Sequence, residues 1–300
     1  MAEAMRSIDA GRSLTITLDH LQESSILANE KAYELYIPLP PSLPQTNMRF
    51  VPCEAIIVRD ARQCGLENFT LERTGFEWIK HSFQDSLDKE KVAGPQGSDA
   101  IELYLKTLVE LVKTRMKAET VIIYDWRIRS TTSTVGLPRP ADRHVELGPA
   151  QWIHADESAR GGMKTLREHL NDAERSKLDS GKGRFRLMNI WRPLVSTVRA
   201  RPLALCDLHS VSPEDWELCD QIHVDRVDEA MYLKRRDNHS WWWLPEQRDD
   251  ELTFFIVWDS KRYFEGAQAS TPHGAFDLPA SSEMTQRHSI EVRSIFWTED

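Results

Sequence analysis

The sequence has little that speaks for a membrane or a nucleic acid. None of its apolar runs approaches the roughly 20 residues that a bilayer-spanning helix needs, and the opening MAEAMRSIDAGR has no apolar core of the signal-peptide kind. No block of Lys and Arg interrupts a chain of net charge −9, and nucleic-acid binding relies on clustered cations. The four cysteines (Cys53, Cys64, Cys206 and Cys219) are scattered without metal-type spacing and read as reduced thiols of a cytoplasmic protein. A glycine-rich phosphate loop and an internal repeat are both missing, which excludes the usual nucleotide cradles and solenoids. The expected partner is a small molecule, with neither membrane nor nucleic acid, and a homo-oligomer stays open.

What is present is an ordinary globular composition, 40% hydrophobic and 28% charged, over 300 residues. One domain accounts for that length. Residues 1–50 read as an extended arm, with Leu14–Leu18 a short strand and several prolines between 38 and 44. Residues 51–118 read as a preface: a buried strand at Glu54–Val58, a loop punctuated by Gly94, Pro95 and Gly97, and a helix opened by Asp99 and Glu102 as a capping box. That helix carries an apolar stripe, Ile101, Tyr104, Leu105, Leu108 and Val112, suited to packing on a sheet. From 119 to 297, strand candidates follow one another: Val121–Tyr124, Trp152–Asp156, Phe185–Trp191, Leu203–Cys206, Ala230–Lys234, Ser240–Leu244, Leu252–Trp258 and Ser289–Trp297. Gly136 and Pro138 mark a loop, a charged helical insertion spans about Met163 to Lys177, and Ser212-Pro213 starts a short helix through about Gln221. The pattern predicts a mainly β protein with flanking helices, a double-layered jelly roll rather than a βαβ fold.

One stretch organises the chemistry. Gln151-Trp-Ile-His-Ala-Asp156 ends an apolar segment with a His and an Asp two apart, and i and i+2 share a face of a strand. One more histidine makes a 2-His-1-carboxylate facial triad, which leaves positions open on Fe(II). A second His-x-Asp, His223-Val-Asp225, sits in a polar segment and reads as solvated loop. Candidates for the third ligand are His209, His239 and His273, and His273 stands between Pro272 and Gly274 after the apolar Phe254–Trp258 strand. Beyond it lies Arg287-His-Ser289, where a guanidinium and a hydroxyl on one strand face suit a carboxylate. The rival reading of Arg287 is an ion pair with Glu283 or Glu291.

These motifs resemble the fungal gibberellin-desaturase-like and aspergillic-acid hydroxylase/desaturase-like group of Fe(II)/2-oxoglutarate oxygenases, also described as related to the cephem methoxylase accessory chain. The resemblance is carried, in order, by Asp60-Ala-Arg62, Thr74-Gly-Phe-Glu77, Asp125-Trp-Arg-Ile-Arg129, Trp152-Ile-His-Ala-Asp156 and Met188-Asn-Ile-Trp-Arg-Pro-Leu194. It continues through Pro202-Leu-Ala-Leu-Cys-Asp207, His239-Ser-Trp-Trp-Trp-Leu-Pro245, Asp249-Asp-Glu251, His273-Gly-Ala-Phe276 and Arg287-His-Ser-Ile-Glu-Val-Arg293. It implies a cupin-like double-stranded β-helix that uses Fe(II), 2-oxoglutarate and O2. His154, Asp156 and His273 are then the metal ligands, and Arg287 and Ser289 the co-substrate site, with Arg293 in reserve. Such enzymes remove hydrogen from a secondary-metabolite or amino-acid-derived substrate, giving hydroxylation, desaturation or cyclisation, including C–N closure such as an aziridine. The sequence departs from the group at Glu157, where a polar uncharged residue is usual, and at Trp126, where an Asp-His-x-x-Arg pattern has His.

Arg129, Asn189, Arg192 and Trp241 are the candidate substrate contacts, with ion pairs as the alternative for the two arginines and core packing for the tryptophan. In Trp241-Trp-Trp243, strand alternation turns at least one ring inward. Two other functions stand beside the oxygenase. A catalytically silent, cupin-like accessory protein would lack a complete ligand set. A zinc hydrolase would have no use for Arg-x-Ser.

Overall fold

The computed structural model describes residues 13–40, 42–84, 87–93, 97–133, 145–267, 269–278 and 286–299. Gly94, Pro95, Gly136, Pro138 and Glu283 lie outside the described residues, as does the opening MAEAMRSIDAGR.

The chain is mainly β. Among the described residues the strands form two sheets, one of nine and one of five. In hydrogen-bonded order the larger runs β1 (Leu14–Leu21), β3 (Phe50–Asp60), β11 (Trp241–Trp243), β8 (Leu203–Cys206), β13 (His273–Ala275), β6 (His154–Ala155), β10 (Val227–Leu233), β9 (Trp216–Ile222) and β2 (Ala32–Leu35). The smaller runs β4 (Phe76–Lys80), β12 (Glu251–Asp259), β7 (Arg184–Pro193), β14 (His288–Thr298) and β5 (Thr120–Ser130). Neighbours are antiparallel except β3 with β11 and β2 with β9. This is the jelly-roll architecture that the strand pattern predicts.

Strand alternation decides what each sheet face does. On β7, Phe185, Leu187 and Trp191 point inward to meet Leu205 and Trp242 of the larger sheet. Met188 and Ile190 point outward, where Ile101, Tyr104, Leu108 and Val112 of the Gly97–Met116 helix cover them. The expected apolar stripe is therefore the one that packs. The inner core is tight around Trp258, which is fully buried and donates its indole N–H to Ala159 O at 3.1 Å. A Cβ at Gly162 would stand 2.2 Å from Trp258 Cδ1. Gly162→Ala is accordingly expected to destabilise the fold by about 1–3 kcal/mol. A lower denaturation midpoint at unchanged m-value checks this; an unaltered midpoint would show that the helix there slides freely.

Several elements differ from the sequence reading. Residues 14–80 are no separate arm and preface, because β1, β2 and β3 extend both edges of the larger sheet and β4 borders the smaller one. Their partners lie far along the chain, and local periodicity does not encode that. Ser212-Pro213 opens only one 3-10 turn, Pro213–Asp215. The chain then enters β9, where pairing with β10 on one side and β2 on the other outweighs the cap signal. The charged insertion is two helices, Ala159–His169 and Asp172–Asp179, each capped by a side chain, Ser158 and Asn171.

Candidate functional site

His154 on β6 and His273 on β13 are direct register partners, so their side chains leave the larger sheet on one face. Their ring centroids are 4.4 Å apart. Asp156 follows two residues after His154, and its carboxylate oxygens lie 3.8 Å from His154 Nε2 and 3.9 Å from His273 Nε2. The three potential ligand atoms all lie within 4.8 Å of one another.

The backbone sets the tautomer of both rings. His154 Nδ1 donates to Trp152 O at 2.8 Å and His273 Nδ1 to Thr271 O at 3.1 Å, and a carbonyl can only accept. Each Nε2 is left with its lone pair facing the gap, as in metal sites whose ligands are oriented from behind. Burial, followed by the neighbouring His273, lowers the His154 pKa to about 3, so the ring stays neutral. Burial opposes ionisation of Asp156, yet Arg293 and the Asn189 amide hold its carboxyl well below the usual range. Two imidazoles held from behind at Nδ1 and an ionised carboxylate, converging on one point, are a suitable donor set for non-haem Fe(II).

The smaller sheet supplies the opposite wall. Inner-face residues of β5 and β14 stand in register: Asp125 against Arg293, Arg127 against Glu291, Arg129 against Ser289. Arg127 also pairs with Asp125 at 3.0 Å, and Arg293 with Glu291 at 3.4 Å. Arg293 Nη2 donates to Asp156 Oδ1 at 2.9 Å, and Asn189 Nδ2 to Asp156 Oδ2 at 2.6 Å. Phe255 lies against His273, centroids 4.6 Å apart.

Arg287 behaves differently. It is 2% exposed, donates from Nε to Ser289 Oγ at 3.3 Å and from Nη1 to Arg201 O at 2.5 Å, and lies over the Trp191 ring at 5.1 Å. Among the described residues no carboxylate comes within ion-pair distance of it. Glu291 turns to Arg293 instead, and Glu283 lies outside the described residues. Burial, with the charge of Arg129 next, lowers its pKa to about 9. Arg129 itself donates to Gly148 O at 3.0 Å. A buried cation of this kind calls for an anionic ligand.

Other sequence candidates lie elsewhere. Arg192 is three residues from Asn189, hence on the opposite face of β7, where it donates to Asp249 O at 2.7 Å and stacks on Phe83 at 4.1 Å. Trp241 likewise faces outward, edge-on to His20, and Trp242 is the ring that enters the inter-sheet core. His239 pairs with Asp215 at 3.1 Å, His209 lies beside Arg262 at 3.4 Å, and His223 stacks on Tyr36. Asp225 is solvated, 70% exposed. Asn189 is at the site, but on Asp156. Glu157, where the sequence departs from its group, accepts from Thr165 at 2.9 Å, and burial pushes its carboxyl up to about 8. The direct Arg293 contact to Asp156 escaped the sequence reading, although Arg287, Ser289, Glu291 and Arg293 alternate with apolar Ile290 and Val292, a legible sign of one polar strand face.

Known proteins are similar to this chain over most of its length. A family model described as the oxidoreductase/YMDC permease-like domain matches residues 20–297. An alpha-ketoglutarate-dependent dioxygenase, phiK, of a fungal species is 29% identical over 232 residues, covering 76% of this chain and 79% of that protein. The Gibberella fujikuroi gibberellin cluster GA4 desaturase is 24% identical, covering 93% and 99%. Among solved structures, the iron and alpha-ketoglutarate-dependent endoperoxidase NvfI superposes with a TM-score of 0.79 at 24% identity, covering 97% of this chain and all of that one, a likeness of fold. Among the described residues, no helix is long and apolar enough to cross a membrane.

Proposed function

The chain belongs to the oxidoreductase/YMDC permease-like domain family, and from that premise we propose that it is a non-haem Fe(II)/2-oxoglutarate-dependent oxygenase acting on a small molecule. The carrying observation is the pairing of two features: three donors converging with both Nε2 lone pairs free, and the buried, carboxylate-seeking Arg287 on the facing sheet. The relatives described as dioxygenase and desaturase support the same chemistry.

When bound, iron and 2-oxoglutarate (alpha-ketoglutarate) supply oxidation by O2, in which the co-substrate is decarboxylated to succinate and a hydrogen atom is removed from the substrate. The chain's own residues do the holding. His154 and His273 offer Nε2 as the donor, their rings held in place because Trp152 O and Thr271 O accept from Nδ1. Asp156 adds the single negative ligand. Arg287 and Ser289 take the distal carboxylate of the co-substrate, with Trp191 beneath the guanidinium. Arg129, whose charge reaches Arg287, strengthens the pull on an anion entering there. Phe255 and the apolar core below it limit water at the metal. Whether the outcome is hydroxylation, desaturation or ring closure follows from which substrate carbons the remaining wall, Asp125, Arg127 and Glu157 among it, presents to the metal.

A silent accessory protein would have no need of a complete donor set in the metal-ready tautomer, and a zinc hydrolase none for Arg287. The test is succinate release from 2-oxoglutarate by the purified protein under air, followed by mass spectrometry. Slow release that requires Fe(II) and stops when Zn(II) replaces it is expected. A protein that binds Fe(II) and 2-oxoglutarate yet yields no succinate, even with candidate substrates, would favour the accessory role.

A further inference from the structure

Asp156 is the one candidate ligand that belongs to no strand. β6 ends at Ala155, so the backbone ladder that aligns His154 and His273 does not extend to the carboxylate. Something else must aim it, since a free carboxylate rotates about its side-chain bonds. The opposite sheet supplies the contacts. Arg293 and Asn189 are direct register partners on β14 and β7, and they reach across to the same carboxylate, one oxygen each, at 2.9 and 2.6 Å. Arg293 is steadied in turn by Glu291 at 3.4 Å. Each oxygen of an ionised carboxylate has two acceptor directions. One per oxygen is taken by the smaller sheet, which leaves the others toward the imidazoles.

We propose that Arg293 and Asn189 form a clamp that positions Asp156 for metal binding, so that Arg293 serves the metal centre and Arg287 the co-substrate. This rests on the oxygenase reading above. Two effects of opposite sign meet at Arg293. Its charge repels a divalent cation, while its hydrogen bond fixes the ligand. The repulsion is weak here because Asp156 and Glu291 both lie within ion-pair distance of the guanidinium. Orientation therefore wins, and removal of the arginine weakens the site. Asn189 carries no charge, so its loss reports orientation alone.

The experiment is an anaerobic titration of the full-length protein with Fe(II), repeated with Co(II) to read ligand geometry from its visible spectrum, and then with 2-oxoglutarate at saturating Fe(II). Wild type is compared with Arg293→Gln, Arg293→Lys and Asn189→Ala, with thermal melts alongside. Arg293→Gln and Asn189→Ala are expected to weaken Fe(II) binding by about 10–100-fold, the range for lost outer-sphere partners of a metal ligand, and to alter the Co(II) spectrum. Arg293→Lys keeps the charge without the fork and is expected to fall between Arg293→Gln and wild type. The 2-oxoglutarate requirement at saturating metal should move little. Unchanged or tighter Fe(II) binding in Arg293→Gln overturns the clamp. So does unchanged Fe(II) binding with a greatly raised 2-oxoglutarate requirement, which would make Arg293 the anchor. If Arg293→Gln does not fold, Asn189→Ala and Arg293→Lys decide by the same criteria. If wild type itself binds no Fe(II), it is the oxygenase reading that fails.

Discussion

His273→Ala is expected to lower Fe(II) affinity by at least about a hundredfold, beyond what loss of an outer-sphere partner costs, and to abolish succinate release while the fold persists. In the proposed site His273 is one of three ligands, and it sits 3% exposed between Phe255 and His154. Its Nδ1 donates to Thr271 O, two residues away in its own segment, and the β13 ladder to β6 and β8 runs through main-chain groups that alanine retains. Asp156→Ala removes a ligand too, but it also strips Arg293 of a buried carboxylate, so its loss of metal is confounded by loss of stability. His273 is the cleaner probe. Titration of Fe(II) under nitrogen, with circular dichroism on the same samples, checks the pair of outcomes. Undiminished Fe(II) affinity and turnover would remove His273 from the ligand set.

Arg287→Met is expected to raise the 2-oxoglutarate requirement by about two to three orders of magnitude, and to leave the co-substrate-free protein as stable as wild type or more so. The first part follows from truncating a buried, charge-assisted pair, which costs about 3–4 kcal/mol within the usual range. The second follows from the surroundings of the guanidinium, which is buried with Ser289, a carbonyl and the Trp191 face and has no carboxylate partner among the described residues. Replacing such a cation by an apolar side chain of similar length relieves desolvation. Denaturant melts with and without 2-oxoglutarate separate the two parts, since ligand stabilisation scales with affinity. Equal stabilisation of wild type and variant by 2-oxoglutarate would show that the co-substrate binds elsewhere.

The sequence revealed the parts of this site that depend on parity and hid those that depend on pairing. His154 and Asp156 share a face because they are two apart, and the same rule places Arg287, Ser289, Glu291 and Arg293 together. Applied consistently, it also sends Arg192 away from Asn189, and the structure finds Arg192 on Phe83 and Tyr104. For three consecutive tryptophans parity leaves the origin free, and a one-residue choice turned Trp241 outward and Trp242 inward. What no local pattern carries is which strands become neighbours. The parallel pairings of β3 with β11 and β2 with β9 join segments far apart in sequence. Without its distant partner β9, the β2 segment reads locally as part of an extended arm. The Arg293 contact to Asp156 was hidden for the same reason: it crosses between sheets, and spacing along one strand does not report it.

The most direct test is an anaerobic titration of the metal-free protein with Fe(II) and then 2-oxoglutarate, followed by visible absorption. A weak charge-transfer band that saturates with 2-oxoglutarate, disappears in His273→Ala and needs far more co-substrate in Arg287→Met is the result expected of a site built from His154, Asp156, His273 and Arg287. Tight Fe(II) binding with no band at any 2-oxoglutarate concentration would contradict it.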